Sequence, residues 1–86
     1  MEMRAVYFEA SAQIWTGKCW FFGIVGENKT VNAYNVEVST SAATANKVGY
    51  RHENDKGYIL PKGIPCTNGI YATTDSGNAM IYFGIP

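Results

Sequence analysis

The sequence has few charged residues, a single histidine and two cysteines, and these shortages exclude several classes of function. Charged residues make up 16% of the 86 residues, and seven Lys and Arg balance seven Asp and Glu. The basic residues form no cluster along the chain. Nucleic-acid binding depends on several Lys or Arg lying together on phosphates, so we expect no nucleic-acid partner.

A long hydrophobic run is also missing. The longest apolar stretch, Cys19–Val25, is far shorter than the ~20 residues that a spanning helix needs. Residues 1–4, MEMR, lack the basic flank and apolar run of a signal peptide. We therefore expect no membrane partner and folding in a reducing cytoplasm, where Cys19 and Cys66 are small buried hydrophobes. A disulfide between these cysteines is the alternative.

Residues that could cooperate in catalysis are scarce. His52 stands beside Glu53 and Asp55, but a metal site needs three or four ligands that converge, and consecutive residues point apart. Cys66 or Cys19 with His52 is the one available nucleophile–base pair, although a thiolate is costly in the apolar surroundings of Cys19. The sequence predicts no catalytic residue, no metal ligand and no cofactor, and the protein is predicted not to be an enzyme.

Alternation with a period of two residues dominates the chain, and no window carries the apolar stripe of a helix. This pattern predicts one all-β domain over residues 1–86, a small antiparallel β-sandwich or barrel of about six to eight strands. The last two predicted strands form a hairpin with a turn at residues 75–78, DSGN. The predicted strands and extended segments are 4–9, 18–26, 33–39, 47–51, 58–60, 70–74 and 79–83.

The strand at 18–26 is apolar on both faces. Alternation places Cys19, Phe21 and Val25 on one face and Trp20, Phe22 and Ile24 on the other. Such a strand lies in the centre of a sheet or is covered on its second side by a partner. The glycine at position 23 within it predicts a bulge or a close backbone approach.

The aromatic residues allow two interpretations. Trp15 and Trp20 could form a platform on which sugars stack, which would make the protein a carbohydrate-binding β-sandwich. The same residues could belong to the core or to an interface between protomers. Trp15, next to the predicted turn at Thr16-Gly17, is the aromatic residue that we expect to be most exposed.

The segment 60–71, LPKGIPCTNGIY, and the strand AMIYF at 79–83 resemble the C-terminal pattern of small tailed-phage structural proteins. In those proteins a Pro…Gly-Ile-Pro…Asn-Gly-Ile/Leu-Tyr stretch precedes a hairpin that closes with a Val-Tyr-Tyr type strand. The aromatic strand at 20–26 and the strand at 34–39 match more loosely, and together the segments cover roughly two thirds of the chain. Residues 18–22, KCWFF, are bulkier than the residues usual there.

This resemblance implies a bacteriophage virion protein. The expected function is that of a capsid decoration (cement) protein, which binds the major capsid protein, stabilises the shell and associates with itself as a homo-oligomer such as a trimer. Its location would be the capsid surface after synthesis in the host cytoplasm, and a head–tail or tail accessory subunit is the alternative within this class. The residues that we expect at the protein interface are Trp15, Trp20, Phe22, Tyr82, Ile85 and Pro86.

Overall fold

The structure is a computed structural model that describes residues 1–25, 36–39, 47–51, 57–74 and 79–86. These residues form strands and short connections, without a helix among them, and the expected all-β fold class is confirmed. The eight strands are β1 (Glu2–Phe8), β2 (Ala12–Trp15), β3 (Cys19–Val25), β4 (Val36–Ser39), β5 (Lys47–Arg51), β6 (Gly57–Cys66), β7 (Ile70–Thr74) and β8 (Ala79–Ile85).

The strands form two four-stranded sheets. Sheet A has the order β1-β8-β3-β6 and sheet B the order β2-β7-β4-β5, and every pairing is antiparallel. Successive strands alternate between the two sheets except at β4 and β5, which are neighbours in sheet B. This order is that of a jelly roll, a sandwich built from two Greek keys.

The core lies between the sheets and is built by alternate residues of their strands. In β8 the buried positions alternate with half-buried ones up to Phe83, as expected for a strand with one side turned inward. Trp15 of sheet B lies against Phe83 of sheet A, with ring centroids 5.7 Å apart. The buried apolar residues are Phe8, Cys19, Phe21, Ile24, Cys66, Ile70, Ala72, Ala79, Ile81, Phe83 and Ile85.

The predicted terminal hairpin is wrong in its pairing. Both strands exist, at Ile70–Thr74 and Ala79–Ile85, but β7 pairs with β2 and β4 while β8 pairs with β1 and β3. The connection between them therefore passes from one sheet to the other. The short connection suggested that the two strands pair with each other. Instead they lie in different sheets and are buried against opposite sides of one core.

The predicted face assignment of β3 is wrong beyond Phe22. The register of β3 against β8 shifts between Phe21 and Gly23, so that Phe22 is an extra residue in a β-bulge. After the bulge Ile24 pairs with the buried Ile81 and faces the core, and the exposed Val25 faces outward. Both alternatives predicted for Gly23 are present. The register shift beside it is a bulge, and the backbone of β6 approaches closely, since a Cβ on Gly23 would collide with the Tyr58 carbonyl oxygen and lie 2.9 Å from the Ile59 Cα.

Strand β6 is longer than predicted, because it continues from Gly57 through two prolines to Cys66. As one of the two edge strands of sheet A, it tolerates prolines, which cannot donate a ladder hydrogen bond. Strand β2 was not predicted, whereas 47–51 matches β5. The turn at 75–78, the segment containing His52 and the start of the predicted strand at 33–39 lie outside the described residues.

Candidate protein-binding surface

The side of sheet A that faces away from sheet B, here called the outer face, is formed by the strand positions that alternate with the core positions. On β8 these are Met80 and Tyr82, which stand between the buried residues of that strand. The strand register then extends the outer face to the other three strands of the sheet. Its side chains are Met3, Ala5, Tyr7, Trp20, Phe22, Val25, Ile59, Pro65, Met80 and Tyr82.

Cross-strand pairing aligns these side chains in rows. One row crosses the sheet from Met3 through Gly84 and Trp20 to Pro65. Another runs from Tyr7 through Met80 to Val25. Directly opposed residues on one face lie about 4.5–5.5 Å apart at Cβ and contact each other, so the outer face is a continuous apolar surface.

Phe22, the extra residue of the bulge, occupies the middle of this surface. A Cβ on Gly63 of β6 would lie 3.0 Å from the Phe22 ring, and one on Gly84 of β8 would lie 3.1 Å from it. A Cβ on Gly84 would also collide with the Met1 sulfur. The ring thus fills the space left by glycines on both neighbouring strands, and larger residues at those positions would displace it.

The outer face carries no charged side chain among the positions assigned to it. Lys18 stands at its margin, with the ammonium nitrogen 5.4 Å from the centroid of the Trp20 ring. Ile59, Met3 and Tyr7 keep 56%, 55% and 45% of their surface exposed. Four strands at ~4.8 Å spacing and seven residues at ~3.3 Å give an area on the order of 400 Å², within the size range of functional apolar patches.

The structure brings together three of the six predicted interface residues. Trp20, Phe22 and Tyr82 share the outer face and are half-buried. Ile85 belongs to the buried core, and Pro86 is exposed after the end of β8.

Trp15 lies away from the outer face and is less exposed than expected. Its ring contacts Phe83 in the core, and the Arg4 guanidinium carbon stands 5.5 Å from the ring centroid. Arg4 is also paired with Glu2 at 2.6 Å. Because the ring contacts both Phe83 and Arg4, Trp15 is a poor platform for a sugar.

Six exposed residues of the outer face were not among the predicted interface residues: Met3, Ala5, Tyr7, Val25, Ile59 and Pro65. Their signal was present in β1, where Met3, Ala5 and Tyr7 alternate with residues that face the other way. Ile59 and Val25 could not be assigned to a face without the bulge in β3, which changes the register on both sides of that strand.

The Cys19 thiol is not an activated nucleophile. Burial, followed by the charge of Cys66 and a hydrogen bond with it, raises the pKa of the Cys19 thiol to about 12, so this thiol stays protonated near neutral pH. Cys66 is also buried, and its predicted partner His52 lies outside the described residues. Within the part of the chain that the structure describes, no three His, Cys, Asp or Glu side chains lie together as metal ligands would.

Two further findings concern membranes and known proteins. Among the described residues there is no helix with the length and apolar character that crossing a bilayer requires. Comparisons with protein-family models, with curated proteins and with solved structures gave no match.

Proposed function

We propose that this protein is a structural subunit that binds other proteins through the outer face of sheet A, as a capsid decoration protein of a tailed phage. Its partner is the major capsid protein, and its place is the outside of the assembled shell. The single observation that carries the proposal is a continuous, uncharged outer face with exposed Met3, Tyr7 and Ile59.

Leaving the apolar outer face in water is energetically unfavourable. Burying apolar surface contributes ~25 cal/mol per Å², so covering an area on the order of 400 Å² is strongly favourable. A standard interface buries ~800 Å² on each partner, and polar residues at the margin, such as Lys18, would supply part of the remainder. A subunit that binds only the assembled shell stabilises that shell by mass action.

Two independent features support the phage assignment. The sequence of segment 60–71 resembles small tailed-phage structural proteins, and in the structure this segment includes the end of β6 and the start of β7. The jelly-roll order of the strands is an architecture that occurs in viral capsid domains and in lectins. Since one fold serves many functions, the outer face carries more weight than the topology.

The first experiment measures the number of copies in virus particles. Particles are purified from the cells that express the gene, and quantitative mass spectrometry compares this protein with the major capsid protein. A decoration protein is expected at about one or more copies per capsomer. A few copies per particle would instead indicate a head–tail or tail subunit, and absence from the particles would overturn the proposal.

A second experiment tests the outer face directly. Ile59→Lys and Met3→Lys place a charge on exposed outer-face positions, and each should weaken binding to shells at least ~30-fold, because a desolvated charge at a binding hot spot costs more than ~2 kcal/mol. Ala10→Lys, in the exposed connection between β1 and β2, is the matched control and should bind as the parent does. Equal binding by all three variants would exclude the outer face.

A carbohydrate-binding module is the second candidate, favoured by the half-buried Trp20 on the open side of a jelly roll. Sugar stacking on this ring would quench its fluorescence. Titration with a panel of glycans therefore separates the two functions. Quenching that is lost in Trp20→Ala but kept in Trp15→Phe would support the carbohydrate function, and no response at millimolar glycan would exclude it.

A further inference from the structure

Cys19 and Cys66 lie directly opposite each other on paired strands. Cys19 is the first residue of β3, Cys66 is the last residue of β6, and the antiparallel register pairs the two. Both side chains belong to the buried core, so they point to the same side of sheet A. Opposed residues of an antiparallel pair have Cα atoms about 4.5 or 5.5 Å apart, and both values lie within the range of disulfides.

The two thiols are near enough to interact. Cys66 acts on the Cys19 thiol electrostatically and through hydrogen bonding, and the Cys66 thiol donates to the Ile64 carbonyl oxygen at 3.4 Å. Forming a disulfide therefore requires rotation of the side chains and a small approach of the sulfur atoms, without a change in strand register.

We propose that Cys19 and Cys66 are a disulfide-forming pair that is reduced inside the cell and becomes oxidised when the protein meets a small-molecule disulfide such as oxidised glutathione. The inference is independent of the proposed function, because it concerns a covalent bond within the chain. The bond would fasten the edge strand β6 to β3 beside the register shift at Phe21 and Gly23, where the pairing of these strands is least regular.

The reaction balances as two thiol–disulfide exchanges. The thiolate of one cysteine attacks the small disulfide, forms a mixed disulfide and releases one small thiolate. The thiolate of the second cysteine then attacks the protein sulfur of the mixed disulfide and releases the other small thiolate. Two electrons and two protons pass from the cysteine pair to the oxidant, which leaves as two small thiols.

Because both cysteines are buried, the reaction requires that the protein first opens locally or is still folding. Cys19 and Cys66 are 0% and 1% exposed, so an oxidant reaches them only when the edge strand β6 opens or while the chain folds. Exchange also needs a thiolate, which forms readily only in the opened state. We therefore expect slow oxidation of the native protein and fast oxidation in mild denaturant, by a factor of roughly 100 or more.

The disulfide should raise the melting temperature. It would close a loop of roughly 50 residues, and the loss of unfolded-state entropy in such a loop corresponds to a rise in Tm on the order of 10 °C. The loop is bounded by β3 and β6 of sheet A and contains β4 and β5 of sheet B, so the constraint would act on strands of both sheets.

The test uses the reduced full-length protein in buffers that contain defined ratios of reduced to oxidised glutathione. Three quantities are measured: the intact mass, the free thiols after denaturation, and Tm. The expected product is a monomer that has lost two hydrogen atoms, has no free thiol and melts on the order of 10 °C higher, with full reversal by dithiothreitol. Persistent glutathione adducts, disulfide-linked dimers or an unchanged Tm would each overturn the proposal.

The double variant Cys19→Ala/Cys66→Ala is the matched control, and its Tm should not depend on the glutathione ratio. If this variant does not fold, the comparison of reduced with oxidised parent protein still decides the outcome. Binding to virus shells is not measured here, so failure of this inference and failure of the proposed function are distinguishable.

Discussion

Ile59 and Ile81 show that chemical type alone does not assign a residue to the outer face or to the core. Ile81 is completely buried in the central strand β8, whereas Ile59 on the edge strand β6 keeps 56% of its surface exposed. Sequence alternation predicts that neighbouring residues of a strand face opposite sides, but it does not say which side is covered. The prediction grouped Ile85 with Trp20, Phe22 and Tyr82. In the structure Ile85 is part of the core, whereas the other three lie on the outer face.

Cys19 should make stability depend on pH in alkaline solution. Its pKa is raised from 9.0 to about 12, chiefly by burial, so the native state keeps the neutral thiol while the unfolded chain ionises. The contribution to stability is intact below pH 9 and is lost as pH rises from about 9 to about 12, by at most ~1.4 kcal/mol for each pH unit.

Urea unfolding of the reduced protein between pH 8 and pH 11 measures whether the free energy of unfolding falls as the pH rises. Cys19→Ala removes the titrating group and should show a shallower decline with pH, although it is less stable at pH 8 because a buried side chain is shortened. Parallel declines in the parent and the variant would contradict the raised pKa.

At the scale of the elements, the bulge in β3 decides the composition of both faces of sheet A. One extra residue at Phe22 turns Ile24 inward and Val25 outward, and it leaves an aromatic ring on the open side. The positive φ of Gly23, at 154°, and the close approach of β6 make glycine the residue that this bulge accepts.

Gly23→Ala should therefore destabilise the protein strongly. The new Cβ would collide with backbone atoms of Tyr58 and Ile59, and the expected loss is more than ~3 kcal/mol of unfolding free energy. Gly17→Ala is the matched control, since its φ of 104° is also positive but nothing lies within 4 Å of its Cβ. It should lose only about 1 kcal/mol. Equal losses in chemical denaturation would show that contact with β6 does not matter.

The positions of the strands along the chain were more predictable than the pairing between them. Alternation located β3, β5 and β7 closely and the start of β8 at Ala79, because the pattern is local to each segment. Pairing depends on which strands meet across the core, and a short connection between β7 and β8 favoured a hairpin that the structure does not form. Strand β2, with the four residues AQIW, is too short to alternate recognisably.

For the whole molecule, the proposed binding through an uncharged outer face and a formal net charge of zero predict association that is insensitive to salt. Contacts between apolar surfaces are not screened by ions, whereas exposed charge pairs are. Raising NaCl from about 0.1 M to about 1 M should change the Kd for virus shells by less than about threefold.

Sedimentation binding at several salt concentrations measures this dependence, and calorimetry on the same samples should give a negative heat-capacity change from apolar burial. Ile59→Lys serves as a reference, because its added charge lies on the outer face. Weakening of the parent protein by tenfold or more at high salt would mean that charged residues at the margin dominate binding, and the outer face would lose its assigned role.

The position of β8 between β1 and β3 has a consequence for biosynthesis. During translation β1 and β3 emerge from the ribosome early, yet both lack the strand that lies between them in the sheet until β8 has been made. Until then the nascent chain exposes two aromatic strands with unpaired edges, which are prone to aggregation. Nascent copies are thus most vulnerable before β8 has emerged, and slower translation between β3 and β8 would prolong that exposure.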